Sequence, residues 1–210
     1  MAPEDKGKTV FMFPGQGAQQ PKMGLDLWQK YDRAKRLFSM ASEIYGENLE
    51  EICFHRPFRE MQRTDHAQIL IGTVSLVVHE LLREEGVVPD IVLGHSAGEM
   101  VALYASGAVD LESVFRLISV RGRSMYQAAL QKKGKMVAVL DLSPEEVECL
   151  VERHRSHGTI SICNYNAPTE SVVTGDFDAV TQLERYIREN RIGRVTDRKS
   201  TRLNSSHVSQ

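Results

Sequence analysis

The stretch that most constrains the fold is Gly94-His95-Ser96-Ala97-Gly98-Glu99. Ahead of it, after Pro89, Ile91-Val92-Leu93 reads as a short buried strand. Behind it, Met100 to Ser106 reads as a helix, with Gly107 where a left-handed closing residue belongs. A G-x-S-x-G run between a strand and a helix makes a turn too sharp for Cβ atoms at its flanks, and lifts the serine hydroxyl out of the sheet. The amide of Ala97, at the start of the new helix, can then face a developing oxyanion. Ser96 is thus a candidate nucleophile, and the chain must build a sheet and helices that hold the turn in place.

The 210 residues, 41% hydrophobic and 26% charged, fit one soluble domain, or one domain with a small second lobe. A net charge of -2 gives no general attraction to nucleic acid or membrane. Cys53, Cys149 and Cys163 are odd in number and lack metal-ligand spacing. They point to a reduced, cytoplasmic setting and to no metal centre. The N-terminus lacks the apolar stretch of a signal peptide, and no apolar run is long enough to span a bilayer.

Thr9 to Phe13 reads as a strand running into the turn Pro14-Gly15-Gln16-Gly17-Ala18-Gln19. A phosphate loop is excluded, because Gln20 stands where G-x-G-x-x-G needs its third glycine. Two readings stay open: an ordinary turn, or a backbone loop offering a second oxyanion donor. Asp32 to Tyr45 reads as a helix with Asp32 as N-cap and Gly46 closing it. Thr64 opens a longer one, with Leu70, Val74, Val77 and Leu81 at helical spacing and Gly86 and Pro89 ending it. Gln68, in its first turn, reads as a solvated polar residue.

Asp110 caps a helix from Leu111 to about Leu130. At helical spacing Val114, Leu117, Ile118, Met125 and Ala128 form a buried stripe with Arg121 in its middle, while Arg116 and Arg123 face solvent. A guanidinium on a core-facing stripe needs a partner. It can be a structural ion pair or a snorkelling side chain, or it can clamp a carboxylate through two parallel hydrogen bonds. Lys132, Lys133 and Lys135 follow as a solvated cluster that could also meet an acidic partner.

From residue 136 the pattern changes. Met136 to Leu140 is a strand, and Ser143 caps a helix with Pro144 at its first position, running to about His154. Thr159 to Cys163 and Ser171 to Thr174 are strands joined by a turn at Asn166-Ala167-Pro168. Asp178 to Asn190 is a helix, and Ile192 to Val195 a last strand. The order βαββαβ is the split, ferredoxin-like arrangement. His154 and His157 read as surface cations at a helix C-terminus rather than as a metal pair. Residues 198–210 are polar and serine-rich, read as a cloning artefact, and are set aside.

Together, Phe13-Pro14-Gly15-Gln16-Gly17, the Ser96 turn, Val120-Arg121-Gly122 and Asn164-Tyr165-Asn166-Ala167-Pro168 resemble the malonyl-CoA:acyl-carrier-protein transacylases and the acyltransferase domains of polyketide and fatty-acid synthases. The resemblance implies an α/β fold: an α/β-hydrolase-like large lobe over residues 8–133 with an inserted ferredoxin-like small lobe over 134–197. It makes Ser96 the nucleophile, puts Gln16 and the amide of Ala97 in the oxyanion hole, and gives Arg121 the free carboxylate of a malonyl group. His95 and Asn166 line the site, and Gln68 matches a glutamine near the pocket, although Ile69 follows it where the family carries proline.

The implied reaction passes malonyl from malonyl-CoA to the phosphopantetheine thiol of an acyl carrier protein through an acyl-serine, with no bound cofactor. The protein would be a monomer or part of a synthase. In the family a catalytic histidine follows the insertion. This sequence stops near that point, and we read the local match of Ser206-His207 as coincidence. Two rivals carry different expectations. A serine hydrolase or thioesterase would have water as acceptor and no need of Arg121. A truncated, non-catalytic carrier-binding fragment would follow from loss of the histidine.

Overall fold

The computed structural model describes residues 7–197, an α/β structure that divides into two compact units, one up to Tyr126 and one from Gln127. The first unit contains β1 (Val10–Phe13), α1 (Leu25–Lys30), α2 (Asp32–Tyr45), a π-helical turn (Glu51–His55), α3 (Phe58–Met61), α4 (Thr64–Glu84), β2 (Ile91–Gly94), α5 (Gly98–Ala105) and most of α6 (Leu111–Gln131).

β1 and β2 pair in parallel, Val10 opposite Ile91 through Phe13 opposite Gly94. Side chains alternate across a strand, so Phe11 and Phe13 turn inward, their rings 5.9 and 6.1 Å from the ring of His79 on α4. Val10, Met12, Ile91 and Leu93 are exposed. α4 is the central element. Every residue from Thr64 to Thr73 is buried, and α2 and α5 pack along it. Thr64, Asp65, His66, Gln68 and Thr73 are polar, so this buried start of the helix needs hydrogen-bonding partners inside the unit. Leu37, Phe38, Ile52, Leu70, Leu76, Val101 and Phe115 form the core around it, each fully buried side chain contributing about 1.5–3 kcal/mol.

Two expectations change here. Asp32 is the first helical residue of α2, paired with Lys35 at 3.1 Å, rather than its cap. Tyr31, in extended conformation, occupies the cap position because α1, which the sequence reading missed, ends one residue earlier. On α6 the buried residues are Val114, Phe115, Ile118, Ser119 and Gly122, whereas Leu117 and Met125 are exposed. The buried face is therefore rotated towards Phe115 and Gly122, and Arg121 stands at its border, half-buried, not in its middle.

The second unit contains β3 (Gly134–Leu140), α7 (Pro144–His154), β4 (Ile160–Ala167), β5 (Glu170–Asp176), α8 (Phe177–Asn190) and β6 (Arg194–Asp197). Its sheet runs β4-β5-β3-β6, every pair antiparallel, and α7 and α8 pack on it around Val137, Val139, Leu150, Val173, Leu183 and Ile187. Ser143 and Glu146 form a full capping box, with Pro144 at the first helical position. β4 continues through two register irregularities as far as Ala167, so Asn166 lies in a strand and only Pro168 and Thr169 make the turn. His154 is buried rather than a surface cation, its Nδ1 2.7 Å from the Leu150 carbonyl and its ring against Tyr186.

Glu80 is a buried charge in the first core. Its carboxylate is fully buried and accepts hydrogen bonds from Arg33, from Arg83 at 2.8 Å and from the Tyr104 hydroxyl at 2.8 Å. Burial pushes its pKa up, but the bonds from Arg33 and Tyr104 and the charges of Arg33 and Arg83 outweigh it and leave the pKa below the ordinary value. A lowered folded pKa stabilises above the unfolded carboxylate range and is lost as pH falls through the folded value. Replacing Glu80 by Gln, which loses charge-assisted bonds, should cost about 1.5–3 kcal/mol at neutral pH. Urea unfolding should show that deficit shrinking as the pH is lowered below the ordinary carboxylate range. A deficit independent of pH would contradict an ionised Glu80.

Candidate active site

β2 ends at Gly94, and α5 begins at Gly98, so residues 95–97 make the whole turn. Ser96 has φ +53°, in the left-handed region that non-glycine residues seldom occupy. Three hydrogen bonds hold it there: Gly98 N–H to the His95 carbonyl at 3.0 Å, Glu99 N–H to the Ser96 carbonyl at 3.1 Å, and His95 N–H to the Phe13 carbonyl at 3.0 Å. A Cβ on Gly98 would lie 2.1 Å from the Phe13 oxygen, so only glycine lets α5 start against the end of β1. Among the described residues the amide of Ala97 donates to no other group.

The loop after β1 is brought against this turn. A Cβ on Gly15 would sit 2.5 Å from the His95 carbonyl oxygen, 2.8 Å from His95 Nδ1 and 3.2 Å from Ser96 Cβ. Of the two readings of Pro14 to Gln19, this contact favours a loop at the site over an ordinary turn. Gln16 commits its side chain elsewhere, donating from Nε2 to Thr64 Oγ1 at 3.4 Å. Its main-chain amide is left without a partner among the described residues.

Arg121 reaches the same place from α6. Its Nη2 donates to Ser96 Oγ at 3.2 Å, and its Nη1 donates to Gln68 Oε1. Gln68 in turn donates from Nε2 to Met125 Sδ at 3.1 Å. Gln68 is buried, 1% exposed, and not the solvated residue expected from its place in the first turn of α4. No Asp or Glu among the described residues forms an ion pair with Arg121. The structural ion pair that sequence left open is therefore not what holds it.

Below the pair lies a second polar cluster. The buried Asp65 carboxylate accepts from the Tyr45 hydroxyl at 3.0 Å and from Arg63 at 3.2 and 2.7 Å. Burial pushes its pKa up, but the Arg63 bond, the charges of His66 and Arg63 and the Tyr45 bond hold it below the ordinary range. The Tyr45 hydroxyl is pushed up, by burial first and by the Asp65 charge second. Arg123, exposed as expected, donates to the Tyr45 carbonyl and lies 4.5 Å over the Tyr45 ring.

His95 is exposed and makes no hydrogen bond to Ser96 Oγ. Among the described residues no histidine or carboxylate bonds that hydroxyl; His207 lies outside them. Asn166 belongs to the second unit, where its Nδ2 donates to Glu170 Oε1 at 2.8 Å. The lysine cluster is engaged within that unit too. Lys132 pairs with Asp176 at 2.6 Å, Lys135 pairs with Glu184, and Lys133 stands 4.2 Å over the Phe177 ring. No group of three or more His, Cys, Asp or Glu among the described residues could hold a metal. None of their helices is long and apolar enough to cross a membrane.

Sequence reasoning missed Thr64 and Met125 as partners in the site. Thr64 carried only the signal of a helix start, and Met125 only that of a core stripe. An i, i+4 relation to Arg121 on one helix face was the available clue for Met125.

A family model described as the acyl transferase domain matches residues 10–206, a span that takes in part of the stretch after residue 197. The chain is 33% identical over 184 residues to the malonyl CoA-acyl carrier protein transacylase of Bacillus subtilis (strain 168), covering 87% of this chain and 58% of that protein. It matches the crystal structure of MCAT from Streptococcus pneumoniae with a TM-score of 0.85 and 35% identity, over 92% of this chain and 63% of that one. A further match, with a TM-score of 0.82 and 26% identity over 91% of this chain and 62% of that one, is to a malonyl-transacylase in complex with its type II polyketide synthase acyl-carrier protein. The chain thus spans about three-fifths of the length of these proteins.

The left-handed backbone of Ser96 generates a prediction about stability alone. A residue with a Cβ costs about 1–2 kcal/mol more than glycine in that conformation. Ser96→Gly should therefore unfold at higher urea than Ser96→Ala, by about 1 kcal/mol. Equal stability of the two variants would mean that the turn relaxes and does not hold φ positive.

Proposed function

The chain belongs to the acyl transferase domain family, and from that premise we propose that it provides the nucleophile and the carboxylate clamp of a malonyl-CoA:acyl-carrier-protein transacylase. The observation that carries this reading is the Arg121 guanidinium, half-buried, bonded to Ser96 Oγ at 3.2 Å and to a neutral amide, with no carboxylate beside it among the described residues. A guanidinium drawn partly out of water has lost hydration that a neutral amide only partly replaces. An acyl group ending in a carboxylate restores it through two parallel N–H···O bonds.

In this reading Ser96 Oγ attacks the thioester carbonyl of malonyl-CoA. A C–O bond forms, the electron pair of the C=O moves to oxygen, and the collapse of that oxyanion breaks the C–S bond and releases the thiol of CoA. The amides of Ala97 and Gln16 are the donors we assign to the oxyanion. For Gln16 the main-chain N–H is the donor, since the side chain is turned to Thr64. The hydroxyl proton needs a base, because serine at its own pKa is a weak nucleophile, and the same base returns that proton to the departing thiolate. His95, exposed and without a bond to Oγ, does not supply it, and we place the base outside the described residues. The second half-reaction is the reverse chemistry with the phosphopantetheine thiol of a carrier protein as acceptor. That partner is supported by the complex recorded for a related transacylase. No bound cofactor enters the scheme.

The α/β-hydrolase-like large lobe carrying a ferredoxin-like insertion is part of the same proposal, supported by the βαββαβ order of the second unit. So are the cytoplasmic setting and the monomeric or synthase-borne state. A thioesterase on the same turn is not favoured, since hydrolysis gives Arg121 no task.

The test uses the full-length protein. Malonyl-CoA labelled in the acyl group should leave acid-stable label on the wild type and none on Ser96→Ala. Arg121→Ala should lose malonyl transfer roughly ten- to a hundred-fold more than acetyl transfer, the equivalent of losing a charge-assisted partner at about 1.5–3 kcal/mol. Undiminished labelling of Ser96→Ala, or an equal loss for both acyl groups, would overturn the corresponding role.

A further inference from the structure

The Val120-Arg121-Gly122 run contains two residues the reaction scheme does not use, and of these Val120 is exposed. Gly122 is buried on α6, facing the start of α4. A Cβ placed on it would lie 3.1 Å from Asp65 Cα, 3.2 Å from the Asp65 carbonyl oxygen and 3.5 Å from Gln68 Cβ. The first two contacts are with backbone and are tighter than ordinary van der Waals distance. That backbone cannot readily give way. Asp65 is held by Tyr45 and by two bonds from Arg63, and α4 is enclosed along its first ten residues. The helix that would move is α6. Its seat on this cluster is completed by Arg63, 4.9 Å over the Tyr126 ring, and by Arg123 over the Tyr45 ring.

We propose that Gly122 is a positioning residue for acyl selectivity. By letting α6 close onto Asp65 and Gln68, it sets the place of the adjacent Arg121 guanidinium against Ser96. The proposal rests on the clamp reading above and goes beyond it: selectivity depends on the depth at which a helix sits, as well as on the charge it carries. Arg121 bridges Gln68, on the helix that Gly122 touches, and Ser96, on the turn. Any outward shift of α6 stretches both bonds together. Alanine at position 122 requires a shift of a few tenths of an ångström. A misplacement of about 1 Å at a reacting centre can cost on the order of a hundred-fold, so a shift of this size should cost roughly three- to ten-fold.

The experiment is a double-mutant cycle in the full-length protein, reading the ratio of kcat/KM for malonyl-CoA to that for acetyl-CoA, with thermal unfolding as a check on the fold. Gly122→Ala should lower the ratio about three-fold or more, and should leave it unchanged when Arg121→Ala is already present. A ratio lowered by Arg121→Ala but untouched by Gly122→Ala would make Gly122 a packing residue only, with the clamp intact. A ratio indifferent to Arg121→Ala would remove the clamp reading, and this inference with it. A fall that persists in the Arg121→Ala background would show that Gly122 acts by another route, and overturns the proposal. Should Gly122→Ala fail to fold, Tyr126→Leu loosens the same seat without adding bulk. The same fall in the ratio is then expected, and an unchanged ratio counts against the proposal.

Discussion

A guanidinium resting on a serine hydroxyl, with an amide and no carboxylate for company, is an unfinished interaction. Arg121 is drawn partly out of water by α4, α6 and the turn after β2, and none of the described residues returns the charge it lacks. Elsewhere the same unit shows what a finished arrangement looks like. Glu80 is buried among two arginines and a tyrosine hydroxyl, and Asp65 among Arg63 and Tyr45. Those carboxylates are matched and hold helices together. At Arg121 no such carboxylate stands among the described residues, and it is there that the proposed reading places the carboxylate of a substrate.

Close backbone approach makes that arrangement possible. α5 can begin against Phe13 because Gly98 has no Cβ, and the loop after β1 can lie on His95 and Ser96 because Gly15 has none. The positive φ of Ser96 stores strain that the surrounding hydrogen bonds over-determine. The turn is rigid because it is pinned at both ends to β1 and to its own helix, so the hydroxyl is presented without the entropy cost of ordering a loop.

Local signals were legible in the sequence where the chemistry is local. The strand–turn–helix around Ser96, the Ser143 cap with Pro144, and the closing glycines at positions 46, 86 and 107 depend on nearest neighbours, and all stand within a residue or two of where they were read. The environment of Arg121 was legible only in part. Helical spacing placed it on an apolar face but could not tell the middle of that face from its border. The missing terms were partners from other elements: α4 takes up Gly122, and Tyr45 takes up Arg123. Gln68 was misread for the same reason, since nothing near it in sequence announces that α4 is enclosed on every side. Asn166 was assigned to a turn because Pro168 follows so soon, whereas β-bulges carry the strand past it.

The most direct test of the central claim is a crystal structure of the full-length protein with a malonyl group trapped on Ser96. The account predicts the free carboxylate paired with both terminal nitrogens of Arg121, Gln68 still bonded to the guanidinium edge, and the bond from Arg121 to Ser96 Oγ given up to the acyl group. A malonyl carboxylate turned to solvent, with Arg121 unmoved on Gln68, would contradict it.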